Sequence, residues 1–390
     1  MRKNLDTVEE FWSQSAIAEA YENANERSLK KFTRAFAAFL GVTNDAVHPT
    51  SSGKSALEGL LSARKDNRPL VMVPALNCVR VKEAIEGAGC NVLTYDFTSE
   101  PGKFDWDFIL EDISSEVGAL IVTHFYGVPV DLRRVREFCN DRGILLIEDC
   151  AQTLGGTIAG REVGSWGDAA IFSFSYDKPI SLGWGGVAIV NSPDKFEIEE
   201  STFKCLSSLD PSQEIDLFRK FVKSMEVRRS RIRIGKKSLS SIFYRFYNKW
   251  NLATFYDKDM PFGAVQAELG VFCLEGFSEV RAARNANSDI FASLSPFPTW
   301  PVMSVDIEPA WLKQKVFVTG PKQLGSISRI LQKKGIRAGN FNWPKLIEGQ
   351  GSQSCQNASQ VATCWMDVPI HQRMGVKEIE SIVSVLSKHA

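Results

Sequence analysis

Residues 144–190 read ILLIEDCAQTLGGTIAGREVGSWGDAAIFSFSYDKPISLGWGGVAIV, and this stretch decides the fold of the chain. It contains three apolar runs of strand length, namely Ile144–Ile147, Ala169–Phe174 and Gly186–Val190. The acidic pair Glu148–Asp149 ends the first run, and Lys178 lies in the loop after the second. Ligands of open α/β sheets bind outside the carboxyl ends of the strands. We therefore expect Asp149 and Lys178 to face one crevice at that edge of a sheet.

Asp149 and Lys178 together suit one cofactor, pyridoxal 5′-phosphate. A lysine amine forms a Schiff base with a carbonyl group when the pKa of the lysine is lowered. Pyridoxal phosphate needs such a lysine, and it also needs an acid that keeps its pyridine nitrogen protonated. The alternative interpretation is a salt bridge between a surface lysine and a strand-end carboxylate. These two residues alone favour neither interpretation over the other.

The composition narrows the class of protein. The chain has 390 residues, of which 44% are hydrophobic and 24% charged, as expected for one or two globular domains. Basic and acidic residues number 46 each, so no global charge draws the chain to nucleic acid. The eight cysteines form no CxxC motif and the four histidines are widely spaced, so we predict no metal site. Cysteines in apolar contexts, and an N-terminus without an apolar signal region, predict a cytoplasmic protein.

A second candidate site is the start of a helix at Gly53. The segment HPTSSGKSALEGLL, beginning at His48, is a turn of small hydroxyl residues that opens directly onto a helical pattern. The free N–H groups and positive dipole of a helix start suit an anion such as phosphate. The alternative is an ordinary serine N-cap. A Walker A loop is rejected, because His48 stands where that motif has its first glycine.

The remaining patterns predict strands that alternate with helices. Apolar strand-like runs end at Val73, Phe97 and Thr123, and helices lie between them, which is typical of a mostly parallel sheet covered on both faces. His124 follows a strand and is either a site residue or a structural histidine. The predicted helices include about Val8–Leu40, Asp131–Arg142 and one long helix over Pro261–Arg284, with Val265, Leu269, Phe272 and Phe277 on its buried side.

Residues 196–258 differ from the rest of the chain. They are charged and mostly helical in pattern, and six basic residues crowd into Arg228–Lys237, with aromatic residues following up to Trp250. Such a segment suits phosphate-bearing substrates or an anionic membrane surface. The alternative is a solvated helical insertion with one packed aromatic face.

Taken in order, several segments resemble the DegT/DnrJ/EryC1/StrS aminotransferases. They are SSGKSAL, VPALNCVRVKEAIEGAGCNVLTYDF, THFYGVPVDL, IEDCAQTLGG, GSWGDAAIFSFSYDKPISLGWGGV and DVPIHQRM, and they span about Phe32 to Leu386. The resemblance implies a fold-type-I pyridoxal phosphate enzyme of the α/β class. Its mostly parallel seven-stranded sheet, flanked by helices, would occupy residues 1–260, including the basic insertion. A linking helix and a smaller α+β domain would occupy residues 261–390.

The resemblance also implies an activity and partners. Such enzymes move an amino group from glutamate or glutamine to a keto-sugar, often nucleotide-linked, in surface-polysaccharide or secondary-metabolite biosynthesis. A homodimer is expected, since fold-type-I enzymes usually build the site at a subunit interface. In this chain, the catalytic pair would be Lys178 as the Schiff-base lysine and Asp149 at the pyridinium nitrogen. The other cofactor contacts would be Gln152 near the phenolic oxygen, Ser173, Gly53 and Lys54 at the phosphate, and Cys78 over the ring.

The chain departs from the family pattern at four positions. Lys54 stands where threonine is common, and Cys78 stands where an aromatic residue stacks on the cofactor ring. Asp259 replaces the asparagine that reaches the neighbouring subunit's cofactor phosphate, and Ser175 replaces a histidine. An aspartate repels phosphate. The departures leave the sugar substrate open.

Two further functions remain alternatives. One is a different pyridoxal phosphate reaction on a sugar, such as the deoxygenation carried out by relatives that have histidine in place of the lysine. The other is a non-catalytic regulator or binding protein on the same fold. The joint presence of Lys178, Asp149 and Gln152 favours the aminotransferase over both.

Overall fold

A computed structural model describes residues 5–6, 12–111, 113–199, 201–203, 209–234, 260–340, 345–351 and 354–390. Three features singled out in the sequence lie outside this description. They are Asp259, the side chains of the basic segment Arg228–Lys237 and the aromatic residues that follow it up to Trp250. No described helix is both long enough and apolar enough to cross a lipid bilayer.

The fold is built on a central sheet of seven strands. Their spatial order is β1-β10-β9-β6-β5-β2-β4, and in chain order these are β1 (Val47–Thr50), β2 (Leu70–Pro74), β4 (Asn91–Tyr95), β5 (Val117–Thr123), β6 (Leu145–Asp149), β9 (Ala169–Ser173) and β10 (Gly186–Val190). The pairs from β4 to β9 are parallel, whereas β10 runs antiparallel to both of its neighbours. The predicted mostly parallel, seven-stranded α/β sheet is therefore confirmed.

Helices pack on both faces of this sheet and also within the C-terminal part of the chain. They are α1 (Gln14–Asn23), α2 (Ser28–Leu40), α3 (Gly53–Ala63), α4 (Val79–Gly87), α5 (Trp106–Glu111), α6 (Arg133–Arg142), α7 (Pro211–Ile234), α8 (Ala264–Glu275), α9 (Phe277–Leu294), α10 (Pro321–Lys333), α11 (Gln356–Cys364) and α12 (Val376–Leu386). Successive residues of a strand point to opposite faces. Accordingly, Leu146 belongs to the apolar core that includes Phe36, while Ile147 belongs to a second core that includes Leu60 of α3.

The segment predicted to be helical over about Val8–Leu40 is not continuous, since α1 ends at Asn23 and α2 begins at Ser28. Between them, the Asn25 side chain accepts from the Arg27 N–H (2.9 Å) and the Ser28 hydroxyl accepts from the Asn25 N–H (3.0 Å). Such local side-chain contacts give the backbone an alternative to helical bonding. The apolar periodicity continues across the break and therefore conceals it.

The long helix predicted over Pro261–Arg284 is also wrong, because it is divided at Gly276. Helix α8 ends one residue before this glycine, and α9 begins one residue after it. Glycine is a poor helix former, since it loses the most backbone freedom on folding. Phe277 is buried as predicted, but Phe272 is 43% exposed, contrary to the prediction.

The C-terminal part of the chain adds a small α+β unit. Strands β12 (Gln314–Phe317) and β14 (Trp365–Val368) form an antiparallel pair, and β13 (Lys345–Leu346) pairs with β3 (Leu76–Asn77) of the preceding part. Short strands β7 (Thr157–Ile158), β8 (Arg161–Glu162) and β11 (Ile307–Glu308) form a third sheet. Helix α9 follows α8 and packs against α12 of this unit.

Candidate active site

Three parallel strands deliver polar residues to the same edge of the central sheet. Thr123 ends β5 and lies beside Asp149, which ends β6. Asp149 in turn lies beside Ile171 of β9. The loop that carries Lys178 follows β9 after Ser173. The edge expected from the sequence to hold a ligand therefore has a carboxylate, a hydroxyl and a lysine loop next to one another.

Asp149 is held in one orientation by two hydrogen bonds. Its side chain is buried, the Thr123 hydroxyl donates to Oδ2 at 3.2 Å, and the Ala151 N–H donates to Oδ1 at 3.1 Å. Burial raises the pKa of Asp149, while the Ala151 N–H and the positive charge of Lys178 oppose this rise. Burial of a charged carboxylate costs free energy, and a nearby cation offsets this cost. A protonated ring nitrogen is such a cation, so the site fits the predicted cofactor.

Lys178 lies in a closed loop rather than on an open surface. Its N–H donates to the Ser175 carbonyl at 3.2 Å, which makes a tight turn. Ser175 and Gly183 pair as a β-bridge, and the Leu182 N–H donates to the Phe174 carbonyl at 2.8 Å. Lys178 is half-buried, and its charge acts on Asp149. The structure therefore brings the two predicted catalytic residues into one site.

The start of helix α3 lies against the end of β9. A Cβ atom added to Gly53 would lie 3.1 Å from Ser173 Cβ, and one added to Gly186 would lie 2.6 Å from the Gly53 nitrogen. Only glycine permits so close an approach of two backbones. This contact places the Ser173 hydroxyl beside the helix start, where N–H groups and the helix dipole favour an anion. The arrangement is a cradle that suits a phosphate.

The same helix start carries an ordinary cap. The Ser52 hydroxyl accepts from the Ser55 N–H (3.1 Å), and the Ser55 hydroxyl accepts from the Ser52 N–H (2.9 Å), which together form a capping box. The serine-cap interpretation and the phosphate interpretation are thus compatible. The cap uses the third N–H of the helix and leaves Gly53 itself facing Ser173.

The ammonium group of Lys54 is engaged by an ion pair within its own helix. Its Nζ lies 2.8 Å from Glu58 Oε2, one turn further along α3. The i,i+4 spacing of Lys54 and Glu58 predicts this pair, but Lys54 was expected at the phosphate alone. A role of Lys54 at the phosphate rests on its backbone N–H, as it would for the threonine common in the family.

Gln152 and Cys78 are the remaining residues predicted to contact the cofactor. Gln152 is buried, and its Oε1 accepts from the Tyr126 N–H at 2.9 Å. Cys78 is half-buried at the N-cap of α4. Sequence reasoning missed Asn77, a buried residue that links Cys78 to Thr123. Its Oδ1 accepts from the Cys78 N–H (2.7 Å) and its Nδ2 donates to the Thr123 hydroxyl (2.9 Å).

His124 is a structural residue, not a ligand of the site. Its Nδ1 accepts from the Val130 N–H at 2.9 Å, so Nε2 carries the hydrogen and donates to Glu148 at 3.2 Å. Glu148 also accepts from three N–H groups at 2.7 Å each, those of Gly164, Trp166 and Gly167. These bonds tie the loop before β9 to the sheet.

His124 and Glu148 also lie close enough to Cys150 to share a metal ion. Two observations argue against such a site. The Glu148 oxygens are already engaged by four N–H groups. Burial raises the pKa of the Cys150 thiol well above its usual range, and the protonated thiol is a poor ligand.

The fold and this edge geometry define a class of protein. The structure is similar to that of the aminotransferase TlmJ from Streptoalloteichus hindustanus, with a TM-score of 0.72. The two sequences are 19% identical, and the similarity covers 99% of this chain and 98% of the other. At this identity the likeness concerns the fold alone.

The chain belongs to the DegT/DnrJ/EryC1/StrS aminotransferase family, whose model matches residues 8–387. The resemblance stated from the motifs is thereby confirmed. Aminotransferases of this family use pyridoxal phosphate, which confirms the predicted cofactor. The cradle at Gly53 and the pair Asp149 and Lys178 are the described features that fit this cofactor.

Curated relatives match more limited stretches. GDP-perosamine synthase from Vibrio cholerae is 28% identical over 190 residues, which are 48% of this chain and 51% of that protein. L-Glutamine:2-deoxy-scyllo-inosose aminotransferase from Streptoalloteichus tenebrarius is 33% identical over 199 residues, which are 50% and 46% of the two chains. The chain therefore spans about half the length of the curated relatives it matches.

Proposed function

We propose that this protein is a pyridoxal phosphate-dependent aminotransferase that moves an amino group from glutamate or glutamine to a nucleotide-linked keto-sugar. The observation that carries the proposal is that Asp149 ends β6 beside β9, and that the loop after β9 carries Lys178, whose charge acts on Asp149. The names of the relatives support the sugar class and, in one case, glutamine as donor. The carbon that is aminated and the pathway served are left open.

Each residue of the site has a defined task in this reaction. The bound cofactor supplies an aldehyde carbon and a ring that withdraws electrons. Lys178 would hold the cofactor through Nζ and, once released, would move a proton to and from the substrate carbon as base and acid. Asp149 would hold a proton at the ring nitrogen, while the N–H of Gly53 and the hydroxyl of Ser173 would bind the phosphate.

A homodimer is part of the proposal. Val79 and Leu346 are apolar and exposed by 47% and 42%. Val79 directly follows Cys78. Leu346 pairs with Leu76 in strand β3, which precedes Cys78 in the sequence. Exposed apolar residues beside a site suit coverage by a second subunit. Light scattering of the purified protein at several concentrations tests this; a monomer throughout contradicts it.

Isotope transfer tests the activity itself. The purified protein is incubated with glutamate or glutamine carrying ¹⁵N and with a panel of keto-sugars linked to GDP, dTDP and UDP. The account predicts one or more amino-sugar products that carry the label, and none with Lys178→Ala. Retention of the cofactor without any transfer to the panel, or loss of the sugar hydroxyl without label, supports one of the alternative functions instead.

A further inference from the structure

A buried arginine lies directly against the peptide that follows Lys178. Arg284 lies on α9 and is 1% exposed. Burial lowers the pKa of its guanidinium from 12.5 to about 10, which still leaves it charged at neutral pH. Burial of a charge is costly unless its donors are well engaged. The position of Arg284 therefore calls for a reason beyond packing.

The guanidinium joins two loops that are far apart in the sequence. Its Nη1 donates to the carbonyl of Pro179 at 3.3 Å, one residue after Lys178. Its Nε donates to Gln372 Oε1 at 3.1 Å, in the loop between β14 and α12. A single side chain thus fixes the lysine loop relative to the C-terminal unit of the protein.

The loop that carries Gln372 is itself anchored to the same helix. Asn287, one turn after Arg284, points its Nδ2 at the carbonyls of Ile370, His371 and Met374, at 3.1 to 3.4 Å. Gln372 is therefore a fixed partner and not a mobile surface side chain. Helix α9 provides a rigid base from which Arg284 reaches the lysine loop.

The lysine loop needs such an anchor for a physical reason. A lysine side chain has four flexible carbons, so the position of its amine depends on how firmly its backbone is held. On the N-terminal side, the Lys178 N–H donates to the Ser175 carbonyl. On the C-terminal side, proline at 179 has no N–H to donate. Its carbonyl accepts from Arg284 instead.

We propose that Arg284 is a positioning residue for Lys178. By fixing the Pro179 carbonyl against the loop of Gln372, it sets where the Lys178 amine stands relative to the cofactor. The inference rests on the proposed function, in which Lys178 holds the cofactor. Misplacement of reacting groups by about 1 Å costs on the order of 10²-fold in rate.

The test compares three variants with one matched control. Arg284→Gln removes the charge, Arg284→Lys keeps it with fewer donors, and Gln372→Met removes one acceptor. The control is Arg281→Gln, because Arg281 lies one turn earlier on α9 and also donates to a backbone carbonyl, that of Gly155 at 2.5 Å. The readouts are kcat and KM for the donor, visible circular dichroism of the bound cofactor, and hydrogen exchange of residues 174–183 without cofactor.

Arg284→Gln is expected to lower kcat by about 10- to 100-fold with KM changed less than about threefold. It should also change the visible circular dichroism and speed exchange of residues 174–183, whereas Arg281→Gln should do neither. Arg284→Lys should fall between the wild type and Arg284→Gln, and Gln372→Met should show a smaller loss. If Arg284→Gln does not fold, Arg284→Lys and Gln372→Met carry the test.

Wild-type kcat and exchange in the Arg284 variants would overturn the proposal, and so would an equal loss in Arg281→Gln. Failure of the proposed function is a separate result. If the wild type binds no cofactor, only the exchange of residues 174–183 remains as a readout. Unchanged exchange in the Arg284 variants would then still refute the role of Arg284 as an anchor.

Discussion

At the residue scale, the proposed reaction depends on the buried carboxylate of Asp149 and on the groups that orient it. Asp149 accepts from the Thr123 hydroxyl and the Ala151 N–H, so both of its oxygens are oriented before any ligand arrives. Preorganised charges of this kind act strongly in a buried site, because little reorganisation is needed when charge develops. The charge of Asp149, and not its shape, is what the proposed reaction uses.

Asp149→Asn separates charge from shape. The amide retains the size of the side chain and at least one hydrogen bond, so the protein should fold and still bind cofactor. Because the ring nitrogen loses its partner, kcat should fall by about 10²–10³-fold. Steady-state transamination measures this, with Asp177→Asn as control, since Asp177 is a half-buried carboxylate next to Lys178. Equal activity of Asp149→Asn and the wild type would remove Asp149 from the mechanism.

The sequence revealed these residues unequally, for a physical reason. Asp149 and Lys178 follow apolar strand runs, and strand ends are visible in a local pattern. Asn77 and Arg284 act through partners that are 46 and 105 positions away, and no local pattern encodes such contacts. His124 stayed ambiguous until its two ring nitrogens were seen to bond Val130 and Glu148.

At the element scale, helix α7 turns out to support the lysine loop. Glu214 on α7 is fully buried, and its carboxylate accepts from the N–H groups of Val265 (3.0 Å) and Gln266 (2.6 Å) at the start of α8. The Gln266 amide then donates to the carbonyls of Trp184 (2.6 Å) and Leu182 (3.2 Å), just after Lys178. The insertion predicted from the sequence is therefore connected to the site through its first helix.

Glu214 makes this connection dependent on pH. Burial raises its pKa from 4.5 to about 7, although the N–H groups at the start of α8 oppose the rise. Between these two values the folded state binds more protons than the unfolded state, so stability falls as pH rises through that window. Relative to Glu214→Gln, the wild type should lose about 2–3 kcal/mol from about pH 5 to about pH 8.

Urea unfolding of both proteins at the two pH values measures this difference. Glu226→Gln serves as control, because Glu226 lies on the same helix and is exposed. The wild type and Glu214→Gln should have unfolding free energies that converge or cross with rising pH, while the control should run parallel to the wild type. Parallel behaviour of Glu214→Gln would contradict the assignment of a buried, proton-binding cap.

Element prediction succeeded where the apolar pattern was uninterrupted and failed at helix breaks. Strands β2, β4, β5, β6, β9 and β10 were recognised because each is a short apolar run between turn residues. The breaks before Ser28 and at Gly276 were missed, since the apolar spacing continues through both. Helix α7 was predicted, but the buried contact by which its Glu214 caps α8 was not, because Val265 lies 51 positions from Glu214.

At the scale of the whole molecule, a buried charge cluster holds the C-terminal unit against the loop after β5. Asp367 lies 3.1 Å from Lys313 Nζ and 2.7 Å from Lys315 Nζ. Both ammonium groups lie over the ring of Tyr126, at 5.6 and 4.6 Å from its centre. Tyr126 also donates its N–H to Gln152, so the cluster borders the candidate site.

Asp367→Asn tests the importance of this cluster for the fold. Burial alone would raise the pKa of Asp367, but the two lysines outweigh it and lower the pKa. Loss of the charge leaves two buried cations without their anion, which is expected to cost about 3–5 kcal/mol in the free energy of unfolding. The control Asp306→Asn removes an exposed partner of Arg133 and should cost less than about 1 kcal/mol. Similar small losses in both variants, measured by denaturant unfolding, would contradict the prediction.

The proposed function requires that Lys178 hold pyridoxal phosphate and use it to take up an amino group. The most direct measurement is the absorbance spectrum of the wild type and Lys178→Ala, each with added cofactor and then with glutamate or glutamine. The account predicts a visible band of the lysine-bound cofactor in the wild type alone, and its loss when the amino donor is added. The same band in Lys178→Ala, or no band in either protein, would contradict it.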